Sequence, residues 1–576
     1  MPLFLKEMFR RMKSSSDGVY LSLLFILALV LCHHLLQGKL LGSGVDFESS
    51  FVRVVGLIQC WKEGLFLGRW LPDINAGHGY PLLNFYSPLF TYFAAGFGWI
   101  LRDPVAGMNT AIILAFFFSA AAMYLFSREF WGKDGAFLSA VAYMYCPYHI
   151  WDVFFRGACA EFFSSIFFPL VAWSLYRVYK KLDAGSILMA MISLAGLILS
   201  HNLMAAVFLL VASVYVCFLF FLIPSDKRGL FFLSCIVVLV GALCLTAYFW
   251  IPILYEKDFV SLWRSLGIDH RQELFNLQQL FGHAWKVYPY KRPMVSFQLG
   301  LVHIFLGAVS LVFWIKIRAY DQKAAGHIVF WLVIGSVFGY LMLIDSLWFW
   351  DVMPGLKYFD FPWRFFLILN LVLCFIVGAL AVVFSGRFLR PLIFGVTLIL
   401  VAVNIGFCKP DADMKTFQSI DWKNWIYSQN PRDGMEYLPR WVKRISVVSP
   451  EKRFEIVQGQ GDIFVKDLQS GPRSELTVRT TTGALVAYHH FYFPGWAVFV
   501  DGKETKINFE NDFGLILFMV PPGEHQVVVR FGHTSVRVVG EVISLLMIFL
   551  FILGVIFRKK IDVGLCKRKV VAISLK

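Results

Sequence analysis

Charged residues are scarce in this chain, since only 16% of its 576 residues are Asp, Glu, Lys or Arg and 58% are hydrophobic. No soluble domain has so apolar a composition, whereas repeated apolar runs of about 20 residues are typical of bilayer-spanning helices. Acidic residues are the scarcer charged type, 38 against 53 basic ones, which gives a net charge of +15. This excess does not indicate a nucleic-acid partner, because the basic residues cluster in short connections and at both chain ends, as the positive-inside rule expects.

Signatures of several soluble enzyme classes are missing as well. The chain has no P-loop, no GxSxG elbow, no HExxH helix and no Cys/His spacing typical of a zinc site. None of its 10 cysteines falls between residues 409 and 537, so that region is not held by disulfides. Ionisable residues well inside the apolar runs are few, whereas an ion-coupled carrier usually needs them near the membrane midplane. Polar side chains gather at one rim instead, which favours a surface reaction with a lipid-borne substrate.

Apolar runs and basic flanks together predict the course of the chain through the membrane. The predicted spans are 19–36, 106–127, 135–150, 161–177, 185–200, 203–223, 230–252, 298–316, 326–347, 362–384, 390–407 and 538–557. The first is a retained signal anchor, because no small-residue cleavage site follows it. The apolar run 84–101 is interpreted as a half-inserted helix, which keeps the basic connections on one side. A polytopic α-helical membrane protein of about twelve spans, with both termini in the cytoplasm, is therefore predicted.

A second kind of pattern begins after residue 407. Short alternating polar and apolar runs follow, separated by turn signals such as Asp501-Gly502. This pattern predicts a small all-β sandwich domain, held outside the cytoplasm between two spans. The predicted segments are the cytoplasmic N-terminus 1–18, the transmembrane core 19–407 with its outer loop 37–105, the β domain 408–537, the last span 538–557 and the basic cytoplasmic tail 558–576.

The outer loop opens with two acidic residues, Asp46 and Glu48, directly after the first span. Apolar residues then recur at a helical period from Phe47 to Leu65, with Gly64 as a stop, which predicts an amphipathic helix on the membrane surface. The simplest roles of the two acids are an N-cap and a favourable first-turn charge. Carboxylates at a membrane rim can also take a proton from a sugar hydroxyl or hold a divalent cation such as Mg²⁺ or Mn²⁺.

Further polar residues lie at the mouths of other spans on the same side. Arg156 is followed by Glu161, a spacing that suits either a helix-end ion pair or an arginine clamp for phosphate. Arg364 begins another span, where interfacial anchoring is the alternative role. His201 and Asn202 interrupt a long apolar stretch, as the tip of a helical hairpin would, and present two polar side chains to the same surface.

These segments, taken in order, resemble a bacterial family of large membrane proteins labelled 6-pyruvoyl-tetrahydropterin synthase-related, whose members are similar to the GT-C superfamily of glycosyltransferases. The segments that carry the resemblance are the acids Asp46 and Glu48, then GRWLPDINAGHGYPLLNFYSPL, RGACAEF, SHNL, AYFWIPILYE and FDFPWRFF. The later FYFPGWAVFVDGK and VPPGEHQVVVRF are similar to the outer β domain of related bacterial membrane glycosyltransferases. The pterin label implies no chemistry here, because the zinc-binding histidine set of a soluble pterin synthase is not found.

The resemblance implies transfer of a sugar from a polyprenyl-phosphate carrier to an envelope glycan, lipid or protein, on the outer face of the bacterial cytoplasmic membrane. Asp46 takes the position of the base in this comparison, and Glu48 that of a metal ligand or second acid. Arg156 and Arg364 would hold the lipid phosphate, while Arg69, His78 and Tyr80 would close over the sugar. The substrate-binding set predicted on this basis is Arg53, Arg69, His78, Tyr80, Arg156, Glu161, His201, Asn202 and Arg364.

Two other functions stay open at this point. A transporter or flippase for a lipid-linked saccharide would need polar residues along a path through the spans, which the sequence does not supply. A non-catalytic assembly factor would keep the fold without the chemistry. This alternative remains because Ser49, Ser50 and Arg53 stand where the family pattern commonly has a histidine. Catalysis requires that Asp46 and the two arginines converge at one site.

Overall fold

The computed structural model describes residues 15–38, 45–261, 270–277, 298–353, 355–356, 359, 361–384, 386–408, 437–444, 450, 452–466 and 473–574. The α-helices of this part of the chain are α1 Ser15–Leu31, α2 Val45–Lys62, α3 Leu82–Phe85, α4 Leu89–Leu101, α5 Pro104–Met144, α6 Pro147–Trp151, α7 Cys159–Ser164, α8 Phe167–Lys181, α9 Ala184–Ser200, α10 Asn202–Leu222, α11 Arg228–Leu245, α12 Ala247–Glu256, α13 Leu301–Val312, α14 Trp314–Tyr320, α15 Gln322–Leu341, α16 Leu347–Val352, α17 Phe366–Val377, α18 Leu380–Val383, α19 Leu389–Asn404 and α20 Ser535–Ser574.

Within the described ranges, 8 helices are long and apolar enough to cross a membrane, or 9 if α13 and α14, bent by 66°, count as one span. These helices are Pro104–Met144, Cys159–Lys181, Asn202–Leu222, Ser225–Leu245, Gln322–Leu341, Pro362–Val383, Gly386–Asn404 and Ser535–Arg558. The prediction of a multi-pass helical membrane protein is confirmed at this level. The count of twelve and the cytoplasmic position of the termini stay predictions, although each predicted span overlaps a described helix.

Helix α5 explains part of the difference between the twelve predicted spans and the 8 or 9 candidate helices in the described ranges. Its 41 residues would extend about 60 Å as one straight helix, twice the thickness of the hydrocarbon core. Gly132 interrupts it with non-helical backbone angles, φ 68° and ψ −166°, which glycine adopts without steric cost. The predicted spans 106–127 and 135–150 therefore correspond to two helical halves on either side of this glycine.

The helices differ in how much of their surface the protein itself covers. In Pro104–Met144, Cys159–Lys181 and Pro362–Val383, 83–94% of the most apolar window is buried, so these helices form the centre. In Gly386–Asn404 and Ser535–Arg558 only 17% and 11% are buried. Exposed apolar side chains on these outer helices suit contact with lipid tails, which are as apolar as leucine.

Helix α2 runs over Val45–Lys62, where the apolar period predicted a helix, but it does not lie on the surface with one face exposed. The consecutive residues Phe51, Val52, Arg53 and Val54 are all buried, because the protein covers the helix on more than one side. Gly64, two residues past its end, has φ +80°, in keeping with the predicted stop.

The β domain consists of β1 Phe454–Val465, β2 Arg473–Phe491, β3 Trp496–Val500, β4 Lys503–Thr505, β5 Ile507–Asn508, β6 Leu515–Val520 and β7 Gly523–Phe531. The strands form one antiparallel sheet in the order β4-β3-β7-β2-β6-β5, with β1 paired to β2. The predicted two-sheet sandwich is therefore corrected to a single barrel-like sheet. The reason is the 19-residue strand β2, whose first half pairs with β7 and whose second half pairs with β6.

A buried ion pair ties this domain to the helical core. Arg537, at the start of α20 and 0% exposed, donates from Nε and Nη2 to Oε2 of Glu256 on α12, at 3.1 and 3.0 Å. Its Nη2 also donates to the carbonyl of Pro494 at 2.9 Å, just before β3. Because a buried charge is tolerated only when fully paired, this contact fixes the sheet against α12.

Candidate functional site

The candidate site begins where the chain after α6 packs against the first turn of α2. Residues Asp152–Arg156 form a short π-helix, and Gly157 ends it with φ +76°. A Cβ on Gly157 would lie 2.6 Å from both the backbone N and the Cα of Phe47, closer than real Cβ atoms approach. This close backbone contact places Arg156 beside Asp46, the residue before Phe47.

Arg156 bridges three carboxylates. Its Nε lies 2.9 Å from Oδ2 of Asp46, and its Nη1 donates to Asp152 at 3.1 Å and to Oε2 of Glu161 at 2.6 Å. The Asp152 and Glu161 side chains are 0% and 1% exposed, whereas that of Asp46 is 43% exposed. Asp46 is therefore the solvent-facing end of a buried ion-pair network.

Glu161 is the centre of that network. Oε2 lies 3.0 Å from Nε of Arg364 in an ion pair, and Oε1 accepts a hydrogen bond of 2.9 Å from Tyr148. The guanidinium carbons of Arg156 and Arg364 lie 5.7 and 5.1 Å from the ring centroid of Phe361. The structure thus brings together Asp46, Arg156, Glu161 and Arg364 from four separate segments, as catalysis at one site requires.

His201 joins the cluster as a neutral imidazole. As the N-cap of α10, its Nδ1 accepts from the backbone N of Met204 at 3.3 Å, so the ring proton is on Nε2, 4.0 Å from Oε2 of Glu161. Burial and the positive charges of Arg364, Arg156 and Arg53 together lower the pKa of His201 to about 3, against the opposing charge of Glu161. Arg53 therefore lies in the electrostatic surroundings of the cluster.

Burial and neighbouring charges shift the pKa values of both Asp152 and Arg156. Burial, together with the negative charge of Glu161, raises the pKa of Asp152 well above its ordinary value, although Arg156 opposes this. Burial acts to lower the pKa of Arg156, but the surrounding carboxylates raise it by more, so this guanidinium stays charged. Asp152 therefore holds a proton more tightly than an exposed carboxyl does, beside a guanidinium that stays charged.

Three other predicted residues lie around the cluster. The guanidinium carbon of Arg53 is 3.7 Å from the ring centroid of Tyr86. Asn202 donates to the carbonyl of Phe85 at 2.9 Å and accepts from Ser87, which ties α10 to the segment after α3. Glu48 is half-buried on α2 and has no ion pair or hydrogen bond in the described part of the chain.

The Gly/Pro loop residues predicted to close over a sugar have other neighbours. All three guanidinium nitrogens of Arg69 donate hydrogen bonds, to Glu541, to Asn84 and to the carbonyl of Tyr248. His78 faces the β domain, with Nδ1 2.9 Å from the carbonyl oxygen of His489.

Tyr80 accepts from the backbone N of Tyr437 at 3.0 Å. Trp70 between these residues is 1% exposed and packs 5.5 Å from the ring of Trp496. The structure thus gives the loop a role in holding the β domain, and sugar contact by Arg69, His78 and Tyr80 stays a prediction.

Several polar atoms of the cluster make no hydrogen bond in the described ranges. Oδ2 of Asp152 and both Nε and Nη1 of Arg364 are buried without one, and Oδ1 of Asp46, on an exposed side chain, has no partner there either. Asp46 and Glu48 do not fit a shared cation site, because side chains two positions apart on a helix do not face each other. The cluster can accept a proton at Asp46 and hold an anion at Arg364, and a requirement for Mg²⁺ or Mn²⁺ stays a prediction.

Asp152 and Tyr148 are site residues that were not predicted from the sequence. Asp152 stands four residues before Arg156, a spacing at which an acid meets a base on one helical face, and this signal was available. Tyr148 carries no such signal, because its contact with Glu161 depends on how α6 packs against α7.

The fold and the cluster define a polytopic membrane protein with a charged site at the mouths of its spans. The sequence model of the family described as "6-pyruvoyl-tetrahydropterin synthase related domain; membrane protein" matches residues 83–407, more than half of the chain. The chain therefore belongs to this family. An uncharacterized protein of Lactococcus lactis subsp. cremoris (strain MG1363) is 26% identical over 223 residues, which are 37% of this chain and 36% of that protein. The match thus spans about a third of the relative's length.

Two solved structures align with part of the chain. Arabinofuranosyltransferase AftD from Mycobacteria aligns with a TM-score of 0.42 and 16% identity, over 68% of this chain and 26% of that chain. The oligosaccharyltransferase of Archaeoglobus fulgidus, tethered with an acceptor peptide, aligns with a TM-score of 0.36 and 13% identity, over 68% of this chain and 56% of that chain. At this degree of likeness neither structure assigns an activity to the chain.

Proposed function

We propose that the protein is a membrane glycosyltransferase of the GT-C type, which moves a sugar from a polyprenyl-phosphate carrier to an envelope glycan, lipid or protein on the outer face of the cytoplasmic membrane. The observation that carries this proposal is the ion-pair chain from an exposed carboxylate, Asp46, to a buried guanidinium with an open donor, Arg364. Sugar transfer from a lipid phosphate needs a group that takes a proton and a cation that holds the phosphate.

Arg364 supplies the phosphate contact in this proposal. Its Nη1 is buried without a partner in the described ranges, and such a donor costs free energy unless a ligand oxygen accepts from it. Its Nε lies 3.0 Å from Oε2 of Glu161 in an ion pair, which keeps the guanidinium at the cluster. Phosphate oxygens match the fork of an arginine, so a lipid phosphate is the ligand that this donor suits.

Three cationic side chains in the cluster also suit a phosphodiester. His201 adds no charge, because burial and the neighbouring arginines lower its pKa to about 3. Arg53, Arg156 and Arg364 are the cationic members, and cations attract the negative charge of a polyprenyl-phosphate-linked sugar.

The proposed reaction uses Oδ1 of Asp46 and the guanidinium of Arg364. The acceptor hydroxyl oxygen attacks the anomeric carbon of the sugar while Oδ1 of Asp46 takes the hydroxyl proton. The bond between that carbon and the phosphate oxygen breaks, and its electron pair leaves with the polyprenyl phosphate. Arg364 stabilises the second negative charge that develops on the phosphate.

Binding of polyprenyl monophosphate tests the phosphate contact without knowledge of the sugar, because this product is common to all such donors. We expect Arg364→Gln, measured on the full chain in detergent, to weaken binding by at least about tenfold through loss of a charge-assisted contact. The matched control is Arg387→Gln, since Arg387 is exposed and contacts only the ring of Phe388 among the described residues. Equal binding by wild type and Arg364→Gln would contradict the assignment.

A further inference from the structure

Three metal-capable side chains meet in the helical core away from the ion-pair cluster. Cys146 lies between α5 and α6, His303 is on α13 and Cys374 is on α17. All three are buried, at 1%, 0% and 0% exposure. Their ligand atoms lie within 4.8 Å of one another, and the two sulfurs are 3.4 Å apart.

His303 is held in the orientation of a metal ligand. Its Nε2 lies 2.9 Å from the backbone carbonyl of Ala142, so Nε2 carries the ring proton and Nδ1 keeps a lone pair. Nδ1 is buried and faces the thiol of Cys146, which can donate it a weak S–H···N hydrogen bond. A carbonyl that fixes the tautomer while the other nitrogen turns its lone pair to a cysteine sulfur is an arrangement that suits a metal-bound histidine.

Ordinary packing explains only part of this arrangement. Buried cysteines pack as small apolar side chains, and the 3.4 Å contact is also a sulfur–sulfur hydrogen bond. The thiol of Cys146 can also donate to Nδ1 of His303, but S–H is a weak donor, so these contacts satisfy the buried nitrogen poorly. A bound cation accounts for all three side chains at once.

We propose that Cys146, His303 and Cys374 bind a thiophilic metal ion, with Zn²⁺ as the favoured occupant. Two thiolates and a neutral imidazole cancel the charge of Zn²⁺, which matters in an apolar core where net charge is costly. Cu⁺ shares the preference for sulfur ligands but would leave one negative charge if both cysteines lost their protons. Binding forms two metal–sulfur bonds and one metal–nitrogen bond, leaves the fourth tetrahedral position to a water molecule, and releases the two thiol protons to solvent.

The position of the site indicates what the metal would do. Cys146 precedes Tyr148, the hydrogen-bond donor to Glu161, by two residues. Cys374 is on the span Pro362–Val383, which begins next to Arg364. The metal therefore links α17 and the start of α6 behind the ion-pair cluster, as a structural centre that does not depend on the proposed sugar transfer.

Metal content of the purified full chain tests this proposal directly. We expect protein prepared under reducing conditions and given Zn²⁺, then freed of unbound metal, to retain an equimolar amount. Cys146→Ser/Cys374→Ser should retain at least about tenfold less, because both thiolate ligands are lost. The matched control is Cys32→Ser/Cys408→Ser, which removes two equally buried thiols and should retain wild-type metal.

Co²⁺ in place of Zn²⁺ gives a second measurement that needs no activity. We expect a sulfur-to-cobalt charge-transfer absorption in wild type and in the control, and its loss in Cys146→Ser/Cys374→Ser. His303→Gln keeps both thiols and should weaken Zn²⁺ binding by at least about tenfold, which covers the case in which the double variant fails to fold. The proposal is overturned if folded wild type binds no more Zn²⁺ or Co²⁺ than the double variant does. It is also overturned if the site binds Cu⁺ alone at stoichiometric amounts, or if Cys146 and Cys374 always form a disulfide.

Discussion

Glu161 holds the cluster together at the scale of single residues. It is 1% exposed and pairs with Arg156 and Arg364 while accepting from Tyr148. A buried charge removed from such a network leaves its partners charged and unpaired, a larger loss than that of an exposed pair.

Glu161→Gln should therefore lower the free energy of unfolding by about 3–5 kcal/mol, because two buried guanidiniums lose their carboxylate. Asp46→Asn should lower it by less than about 1 kcal/mol, since Asp46 is the solvent-exposed end of the same network. Chemical unfolding of the two variants in one detergent compares these values. Equal losses would mean that Glu161 does not carry the network.

His525 in the β domain gives a pH dependence with a defined sign. Its Nδ1 lies 2.6 Å from Oδ2 of Asp501 and its Nε2 lies 3.2 Å from the carbonyl of Pro522, so only the doubly protonated ring can donate to both acceptors. The hydrogen bond to Asp501 raises the pKa of His525 above its ordinary value. Its stabilising contribution is therefore complete below the unfolded-state pKa of about 6.5 and is lost as the pH rises through the folded-state pKa.

We expect NMR of the histidine-labelled full chain to show a His525 titration midpoint above about 6.5. Asp501→Asn should move that midpoint down, because a neutral amide favours the imidazolium less than a carboxylate does. An unchanged midpoint in this variant would show that Asp501 is not the cause.

A site residue can be predicted from the sequence when its sequence neighbours mark it, and its contacts with distant residues cannot. Asp46, Arg156 and Arg364 were candidates because they are charged residues at the mouths of apolar runs, a pattern that the sequence displays. Their mutual contacts depend on how separate helices pack, which no spacing records. The same limit applies to Cys146, His303 and Cys374, which lack a zinc-site spacing because they come from distant parts of the chain.

At the scale of elements, the contact between Gly157 and the first turn of α2 positions the site. The backbone there is so close that only glycine fits, and φ is +76°. Asp46 meets Arg156 because these two segments touch.

Gly157→Ala should therefore separate α2 from Arg156, with a loss of about 2–5 kcal/mol from left-handed strain and overpacking together. Gly132→Ala is the matched control, because Gly132 also has a positive φ, 68°, but a Cβ there would meet nothing within 4 Å. Gly157→Ala should lower both the midpoint temperature of thermal unfolding and the affinity for polyprenyl monophosphate. Gly132→Ala should lower only the midpoint temperature. Equal behaviour in both assays would remove this role of Gly157.

Helices were easier to predict than their connections. The apolar period of α2 and the stop at Gly64 are local features, so the sequence displays them directly. The course of the Gly/Pro loop depends on partners elsewhere, such as Glu541 for Arg69 and His489 for His78. The sequence accordingly indicated a loop but not its contact with the β domain.

At the scale of the whole molecule, the β domain and the helical core form contacts that a sequence pattern does not record. The alternating runs predicted strands, but the single sheet follows from β2 pairing with different strands along its length. Arg537 and Glu256 then anchor this sheet to α12, and the Gly/Pro loop packs Trp70 against Trp496. The β domain therefore holds the Gly/Pro loop on the side of the molecule where the proposed reaction would occur.

The most direct test of the proposed function is sugar transfer by the reconstituted full chain. Transfer from polyprenyl-phosphate-linked sugars is measured for wild type, Asp46→Asn and Glu48→Gln. We expect wild type to transfer or hydrolyse the sugar and Asp46→Asn to lose at least about 100-fold in turnover, because it lacks the proton acceptor. Glu48→Gln should keep wild-type turnover, since Glu48 has no ion pair or hydrogen bond in the described ranges. Wild-type turnover by folded Asp46→Asn, or no turnover by wild type that binds polyprenyl monophosphate, would contradict the proposed function.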